Sequence, residues 1–300
     1  AHLPDAERFT RAAGTAEVEL LQGNIAQSDK FEAGRGIHDA LLWYAERLTA
    51  TSAPLVIAPE TAVPLLPRHL PPGYWAALQN HFAQRQQLAL VGMPWGDAVQ
   101  GYANALVALG PQGRSDYRYD KFHLVPFGEF IPPGFAWFVR QMQIPLGDFE
   151  RGSVHQPAIE WQGQRLAPNI CYEDLFGEEL AARFGVGEQP PTVLVNVSNI
   201  AWFGNTVAVD QHLNISRLRA MELGRPMLRA TNTGATAIID HQGQVQGLLP
   251  RFTRGSLAGT FEGRTGLTPY ARWASAFGLW PLWGLALLVV GWAVWSARRR

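Results

Sequence analysis

The segment Asn169-Ile170-Cys171-Tyr172-Glu173-Asp174 joins an apolar run to a helix-like stretch and carries the only cysteine of the chain. Residues 166–170 read as a strand that delivers Cys171 at its end. A thiol at a strand-to-helix edge, with a carboxylate two positions on, is a candidate nucleophile. A buried cysteine is more often an inert small hydrophobe, so other segments must decide between these two interpretations.

Two further segments supply side chains that complement a thiol. Residues 55–58 (LVIA) form an apolar strand that places Glu60 at its C-terminal end, where open α/β sheets bind their ligands. Lys121 lies within residues 119–129 (YDKFHLVPFGE), among aromatic and apolar neighbours instead of in a solvated charge run. Glu60 is therefore a candidate base, and Lys121 is predicted to be held in place.

Glu60, Lys121 and Cys171 follow one another at separations of 61 and 50 residues, each after a β-like run. This arrangement resembles the carbon-nitrogen hydrolase (nitrilase) superfamily. The resemblance implies a four-layer αββα sandwich, whereas the periodicity alone indicates only an α/β domain. Glu60 would take the proton of the Cys171 thiol, and the thiolate would attack a carbonyl carbon. Lys121 and a backbone N–H after Cys171 would stabilise the resulting oxyanion.

Four segments narrow the resemblance to the apolipoprotein N-acyltransferases: residues 121–129, 169–174, 198–204 (SNIAWFG) and 217–232. The resemblance covers residues 16–296. It implies transfer of a fatty acyl group from a phospholipid, through a cysteine thioester, to the N-terminal amine of a diacylglyceryl-cysteine apolipoprotein. Two alternatives stay open: an amidase or nitrilase that uses the same residues with water, and a catalytically silent, membrane-anchored binding module.

Further residues of the same motifs are expected near the active site. The resemblance implies that Glu129 orients Lys121 and Glu60, and that Glu173 lies near the nucleophile; a structural ion pair is the alternative for each. Tyr172 matches a position near the acyl site, and its alternative is an ordinary packed aromatic residue.

Aromatic side chains are expected to shape the lipid-binding region. Residues 130–139, including Trp137, read as an apolar loop that covers an acyl chain or dips into lipid, although a packed core loop fits as well. Trp202 and Phe203 are expected to line the same cavity. Phe31 stands where the family commonly has Trp, and Ile200 stands where an Asp is common, so a polar contact is lost there.

The C-terminal segment is predicted to cross a membrane. Residues 273–297 contain no charge over 25 positions, and Arg298, Arg299 and Arg300 follow them. This length exceeds the ~20 residues that span a bilayer, and tryptophans cluster near both ends. A buried core helix is the alternative. The arginines favour a cytoplasmic tail, which would place the catalytic domain in the periplasm of a bacterium, attached to the inner membrane.

Composition excludes several classes of function. The chain of 300 residues has 25 basic and 25 acidic side chains, so no nucleic acid partner is expected. One cysteine excludes an internal disulfide and a multi-cysteine zinc site, and the eight histidines show no metal-ligand spacing. We expect no metal and no cofactor; phospholipid donor, apolipoprotein acceptor and membrane lipids are the expected partners.

The predicted organisation has four parts. Residues 1–15 are a linker or truncated edge, 16–265 the catalytic domain, 273–297 the membrane helix and 298–300 a basic tail. The resemblance implies that the chain is a C-terminal catalytic portion. Within the domain, periodicity predicts helices at 37–48, 74–85 and 209–222, and strands at 18–22, 55–58, 88–92, 103–109, 166–170, 193–197, 227–231 and 235–239.

Overall fold

The computed structural model contains two six-stranded sheets and describes residues 8–25, 35–97, 99, 101–126, 128–130, 149–185 and 189–299. The first sheet has the spatial order β12 (Gly255–Gly266), β1 (Thr10–Gln22), β2 (Leu55–Ile57), β3 (Leu88–Asp97), β4 (Gly101–Leu109) and β5 (Arg118–Asp120). The second has the order β11 (Val245–Leu248), β10 (Ala237–Ile239), β9 (Met227–Thr231), β8 (Val193–Ser198), β7 (Gln164–Ile170) and β6 (Ile159–Trp161).

Helices cover the outer faces of the two sheets. The α-helices of the described residues are α1 (Arg35–Ala50), α2 (Tyr74–Arg85), α3 (Gly177–Ala182), α4 (Val207–Leu223), α5 (Pro269–Phe277) and α6 (Trp280–Arg298). β1, β2 and β3 run parallel, and so do β7, β8 and β9. Parallel neighbours require crossover connections, which helices such as α2 and α4 supply.

Three apolar clusters separate the layers. The inner faces of both sheets meet in a cluster that includes Leu20, Ile57, Ile170 and Val195. A second cluster packs α1 and α2 on the first sheet, and a third packs α3, α4 and α5 on the second. The layers therefore follow the order helix, sheet, sheet, helix, which is the predicted αββα sandwich. Because the central strands of both sheets are covered on two faces, segments such as β2 (LVI) are continuous apolar runs instead of alternating ones.

The first and last strands of the domain, β1 and β12, pair with each other and differ from the prediction. β1 begins at Thr10, eight residues earlier than predicted, so residues 10–15 belong to the strand and not to a linker. A bulge between Ala12 and Thr15, with Gly14 at φ +89°, interrupts the pattern there. Its antiparallel partner β12 was not predicted, because this half-exposed edge strand is rich in Gly, Thr and charged residues.

The charge-free C-terminal segment forms two helices instead of one. Thr268 caps α5 by accepting a hydrogen bond from the Ala271 N–H at 3.0 Å, and Ala271 and Ala274 are buried in the third cluster. Trp273 packs beside the same cluster, so it belongs to the domain and not to a membrane interface. Gly278, at φ +54°, ends α5. The long apolar helix α6 therefore begins at Trp280, seven residues after the predicted boundary at residue 273.

Candidate active site

Three sequence-predicted residues follow strands of the two sheets. Glu60 comes after β2, Lys121 directly follows β5, and Cys171 directly follows β7. The first two side chains are buried, with exposed fractions of 6% and 1%. Cys171 keeps a small exposed surface and packs against apolar residues of two clusters.

Both carboxylate oxygens of Glu60 are hydrogen-bonded. Oε1 accepts from Asn104 Nδ2 at 2.8 Å and lies 3.4 Å from Lys121 Nζ. Oε2 accepts from the backbone N–H of Asn199 at 2.7 Å. Groups from within β4, from the residue after β5 and from the residue after β8 thus fix this carboxylate in one orientation.

Lys121 lies between two carboxylates. Its ammonium donates to Glu129 Oε1 at 2.9 Å and contacts Glu60 at 3.4 Å, and the centroid of the Tyr172 ring lies 5.5 Å from Nζ. Burial lowers the pKa of this ammonium, but the charges of Glu60, Cys171 and Glu129 outweigh it and raise the pKa above its usual range. Lys121 is therefore a permanent positive charge beside the thiol.

Cys171 begins a short 3-10 helix (Cys171–Leu175) in an uncommon backbone conformation, with φ at +57°. A left-handed residue other than glycine costs roughly 1–2 kcal/mol, so its surroundings must hold it there. Its carbonyl accepts from Asn196 Nδ2 at 2.9 Å and lies 3.2 Å from His212 Nε2. The turn is thus fixed by side chains of β8 and α4.

The surroundings keep the Cys171 thiol protonated at rest. Its pKa is raised to about 12, first by burial and then by the charge of Glu60, while Lys121 and Ser198 act in the opposite direction. Two carboxylates and one ammonium leave an excess negative charge around the thiol. A thiolate therefore forms most readily when its proton passes to one of those carboxylates.

Glu129 and Glu173 hold different parts of the site. Glu129 accepts from Lys121, from Asn104 Nδ2 at 2.7 Å and from the Val125 N–H at 2.8 Å, so it reaches Glu60 through Asn104. Glu173 accepts from three backbone N–H groups at 2.6–2.9 Å and from the Tyr119 hydroxyl at 2.9 Å. Burial raises the pKa of Glu173 despite these hydrogen bonds.

Tyr172 is a packed aromatic residue, and its ring also faces the candidate active site. Its hydroxyl donates to the Leu124 carbonyl at 2.8 Å, and its ring meets His123 and Phe176 edge to face at 5.4 and 5.7 Å. The same ring lies against the Lys121 ammonium. Tyr172 therefore joins the lysine segment to the cysteine segment.

The predicted lipid-facing residues are only partly described. Phe203 lies in a short 3-10 helix (Ala201–Phe203), and its side chain is 58% exposed. The side chain of Trp202, and the whole of Phe31 and Trp137, lie outside the described residues. Ile200 is buried with Val209 and Ala235 in an apolar cluster against which Cys171 packs. The apolar side chain of Ile200 is thus accommodated by packing in the cluster beside Cys171.

Sequence reasoning missed the polar residues that hold the three candidates. Asn104 bridges Glu60 and Glu129 from β4, and Asn196, His212, Asp174 and Arg229 form a buried network next to Cys171. A polar residue inside an apolar strand, such as Asn104 within GYANALVAL, was the available signal. Among the described residues, no group of three or more His, Cys, Asp or Glu side chains is arranged to hold a metal ion.

A known family matches most of the chain. The model of the family described as carbon-nitrogen hydrolase matches residues 18–270. The chain belongs to the carbon-nitrogen hydrolase family. Solved structures with this fold include a CN-hydrolase superfamily protein from Xanthomonas campestris, with a TM-score of 0.61 at 20% identity over 89% of this chain and 96% of that one. Nit3 of Saccharomyces cerevisiae gives 0.60 at 15% identity over 84% and 91%.

Curated relatives narrow the similarity within the family. The chain is 60% identical to an apolipoprotein N-acyltransferase of Verminephrobacter eiseniae over 95% of this chain and 55% of that protein. It is 50% identical to an apolipoprotein N-acyltransferase of Ralstonia nicotianae over 94% of this chain and 53% of that protein. The chain thus spans about half the length of the curated relatives it matches.

Proposed function

We propose that this chain is the catalytic portion of an apolipoprotein N-acyltransferase, with Cys171 as nucleophile, Glu60 as general base and Lys121 as oxyanion donor. The observation that carries the proposal is a cysteine beside a buried Glu60–Lys121 pair, on a chain that ends in an apolar and fully exposed helix. The names of the two relatives support N-acyl transfer to an apolipoprotein, and the phospholipid donor and the diacylglyceryl-cysteine acceptor are part of the proposal.

In the first half-reaction Cys171 takes the acyl group. Glu60 accepts the thiol proton, and the thiolate attacks the ester carbonyl of a phospholipid. Lys121 and the Tyr172 N–H stabilise the oxyanion. The tetrahedral intermediate collapses with cleavage of the ester C–O bond, and the departing lysophospholipid alkoxide takes the proton from Glu60. The product is a thioester on Cys171.

In the second half-reaction the thioester meets an amine. The N-terminal amine of a diacylglyceryl-cysteine apolipoprotein attacks the thioester carbonyl, and Glu60 accepts the proton that the amine loses. The C–S bond breaks, Cys171 leaves as a thiolate and recovers the proton from Glu60, and an amide forms. One covalent intermediate thus allows two bulky lipids to use the same site in turn.

The exposed helix α6 supports a membrane location. It is the helix among the described residues that is long and apolar enough to cross a bilayer, and none of its apolar window is buried. Its 19 residues would extend about 28 Å at 1.5 Å per residue, close to the thickness of a hydrocarbon core. We propose that α6 anchors the domain in the bacterial inner membrane, with the domain on the periplasmic side.

Acyl transfer and hydrolysis can be separated by the fate of the acyl group. The complete protein, with any sequence that its gene encodes beside this chain, is incubated in detergent with labelled phospholipid and a diacylglyceryl-cysteine peptide. We expect labelled amide and lysophospholipid in equal amounts, and neither product with Cys171→Ala. Release of free fatty acid without any amide would contradict the proposal and favour an amidase-type hydrolase.

A further inference from the structure

A buried network of five side chains surrounds the backbone of the candidate nucleophile. Its members come from β8, β9, α4 and the turn after β7: Asn196, Arg229, His212, Ser216 and Asp174. Arg229 and Asp174 have fully buried side chains and form an ion pair at 3.4 Å, so the network carries balanced charge. Ser216 donates to Asp174 at 2.6 Å and accepts from Arg229 at 2.8 Å.

The guanidinium of Arg229 determines how its neighbours are oriented. Its Nη1 contacts Asn196 Oδ1 at 2.8 Å, and its Nη2 contacts His212 Nδ1 at 2.9 Å. A guanidinium can only donate hydrogen bonds, so both of these atoms must be acceptors. The proton of the His212 ring therefore sits on Nε2, and the Asn196 amide presents its Nδ2 on the opposite side.

Both donors face the same acceptor. Asn196 Nδ2 lies 2.9 Å from the Cys171 carbonyl oxygen and also donates to Asn169 Oδ1 at 2.6 Å. The single N–H of His212 Nε2 is shared between Asp174 Oδ1 at 2.9 Å and the Cys171 carbonyl oxygen at 3.2 Å. Two donors oriented by one guanidinium thus hold the carbonyl of the residue that has φ at +57°.

Holding this carbonyl also fixes the next amide. The Cys171 C=O and the Tyr172 N–H belong to one planar trans peptide, in which the two bonds point in opposite directions. We propose that Asn196 and His212, oriented by Arg229, are positioning residues that aim the Tyr172 N–H at the developing oxyanion. The inference deepens the proposed function, because it assumes acyl transfer through Cys171, and it adds residues that do not touch the substrate.

Two reagents distinguish positioning of the amide from positioning of the thiol. Iodoacetamide alkylates Cys171 by displacement at carbon and forms no oxyanion, whereas p-nitrophenyl butyrate acylates it through a tetrahedral oxyanion. Both adducts are measured at Cys171 by mass spectrometry on the complete protein in detergent, so neither assay requires a phospholipid or a lipoprotein. A change confined to acylation reports the amide alone.

The variants remove one donor at a time. His212→Met and Asn196→Leu keep most of the side-chain volume, and we expect each to slow acylation by up to about 10²-fold, as loss of one oxyanion donor does. Alkylation should stay close to the wild-type rate. His212→Gln retains a donor and an acceptor and should recover most of the acylation rate. The matched control is His81→Met on α2, which packs on the other sheet and should change neither rate.

Several outcomes would overturn the inference. One is an unchanged acylation rate in both folded variants, His212→Met and Asn196→Leu. A second is an equal fall of the alkylation and acylation rates. A third is a His212→Gln variant that is acylated as slowly as His212→Met. If Asn196→Leu does not fold, the Met and Gln pair at position 212 decides. A wild-type chain that the ester does not acylate would overturn this inference together with the proposed chemistry. Acylation by the ester but never by phospholipid would contradict only the proposed donor.

Discussion

Burial and the charges around Cys171 explain why the proposed mechanism includes a base. Burial raises the pKa of the thiol to about 12, and the excess negative charge of Glu60 and Glu129, which share one ammonium, adds to this effect. A free thiolate at rest is therefore rare, and in the proposed mechanism substrate attack is coupled to proton transfer. Glu60 raises and Lys121 lowers the pKa of the thiol. The pH dependence of thiol alkylation in variants of each residue can therefore distinguish their roles.

Glu60→Gln is expected to change the acidity of the Cys171 thiol and the rate of acyl-enzyme formation in different ways. Removal of the carboxylate charge should lower the pKa of Cys171, so the pH midpoint of iodoacetamide alkylation should move to lower pH. Acyl-enzyme formation should nevertheless fall by about 10²- to 10⁴-fold, because the departing alkoxide loses its proton donor. Stopped alkylation and acylation reactions analysed by intact mass give both values. A midpoint that moves upward, or acylation at the wild-type rate, would show that Glu60 is not the base.

Lys121→Met should act on the thiol in the opposite direction. Loss of the ammonium should raise the pKa of Cys171 and move the alkylation midpoint to higher pH. Acylation should fall by about 10²- to 10³-fold with the loss of an oxyanion donor. The variant should also lose roughly 3–5 kcal/mol of unfolding free energy, since two buried carboxylates are left without their cation. The control is Arg114→Met, which removes an exposed cation from the pair with Glu160. An unchanged midpoint in the folded variant would contradict the assignment.

At the scale of elements, Glu173 joins the loop after β5 to the turn after β7. Its Oε1 accepts from the N–H groups of Phe122 and His123, and its Oε2 accepts from Ile170 N–H and the Tyr119 hydroxyl. The segments that carry Lys121 and Cys171 are thereby held together by one buried carboxylate. Glu173 thus connects the loop after β5 to the turn after β7 by hydrogen bonds, and it has no ion-pair partner among the described residues.

Glu173→Gln is expected to weaken this connection measurably. An amide offers one acceptor oxygen in place of two, so at least two of the four donors lose a partner, at about 1–3 kcal/mol for each buried unpaired group. Urea unfolding followed by circular dichroism should show the loss. Glu160→Gln serves as the control, because its side chain is 67% exposed and pairs only weakly with Arg114 at 3.8 Å. Equal stabilities of the two variants would contradict the structural role of Glu173.

The elements that the sequence predicted well are those with strong local signals. α2 has the predicted bounds, because Gly73 and Gln86, both left-handed, flank it. β9 also has the predicted bounds, although Arg229 stands in the middle of this fully buried strand. β12 escaped prediction because its pairing with β1, 11 residue pairs from opposite ends of the domain, outweighs a weak local preference. The break between α5 and α6 at Gly278 was not predicted for a related reason, because the packing of α5 on the domain determines where that helix ends.

The site was predictable only in part. The order and spacing of Glu60, Lys121 and Cys171 indicated residues that would meet, whereas their chemical roles remain predictions. The residues that hold them could not be found, because their partners are distant in sequence. Asp174 meets Ser216 across 42 residues and Arg229 across 55. Before the fold is known, a His or Arg in a helix or strand pattern is indistinguishable from a solvated side chain.

At the scale of the whole molecule, the domain and α6 have contrasting surfaces. α5 packs on α3 and the second sheet, and α6 departs from it with large apolar side chains exposed along its length. Trp280 and Trp283 are 81% and 63% exposed at one end, and Trp292 and Trp295 are 68% and 51% exposed near the other. Tryptophans in these places are typical of the two interfaces of a bilayer.

The orientation of α6 is testable with fusions to alkaline phosphatase, which is active only outside the cytoplasm. Arg298–Arg300 should stay in the cytoplasm because three guanidinium groups cross a bilayer at a high energetic cost. In the complete protein, a fusion that replaces α6 after Leu279 should be active, and a fusion after Arg300 should be silent. Expression levels of both fusions provide the control. The opposite pattern would place Cys171 in the cytoplasm and contradict the proposed location.

The central claim is that Cys171 carries the acyl group, and intact mass spectrometry tests it most directly. The complete protein is mixed in detergent with a phospholipid of defined acyl chains and quenched in acid before any amine is added. We expect a mass increase equal to one acyl group, reversed by neutral hydroxylamine, together with one lysophospholipid per protein, and no adduct on Cys171→Ala. An unmodified wild-type protein, or an acylated Cys171→Ala protein, would contradict the claim.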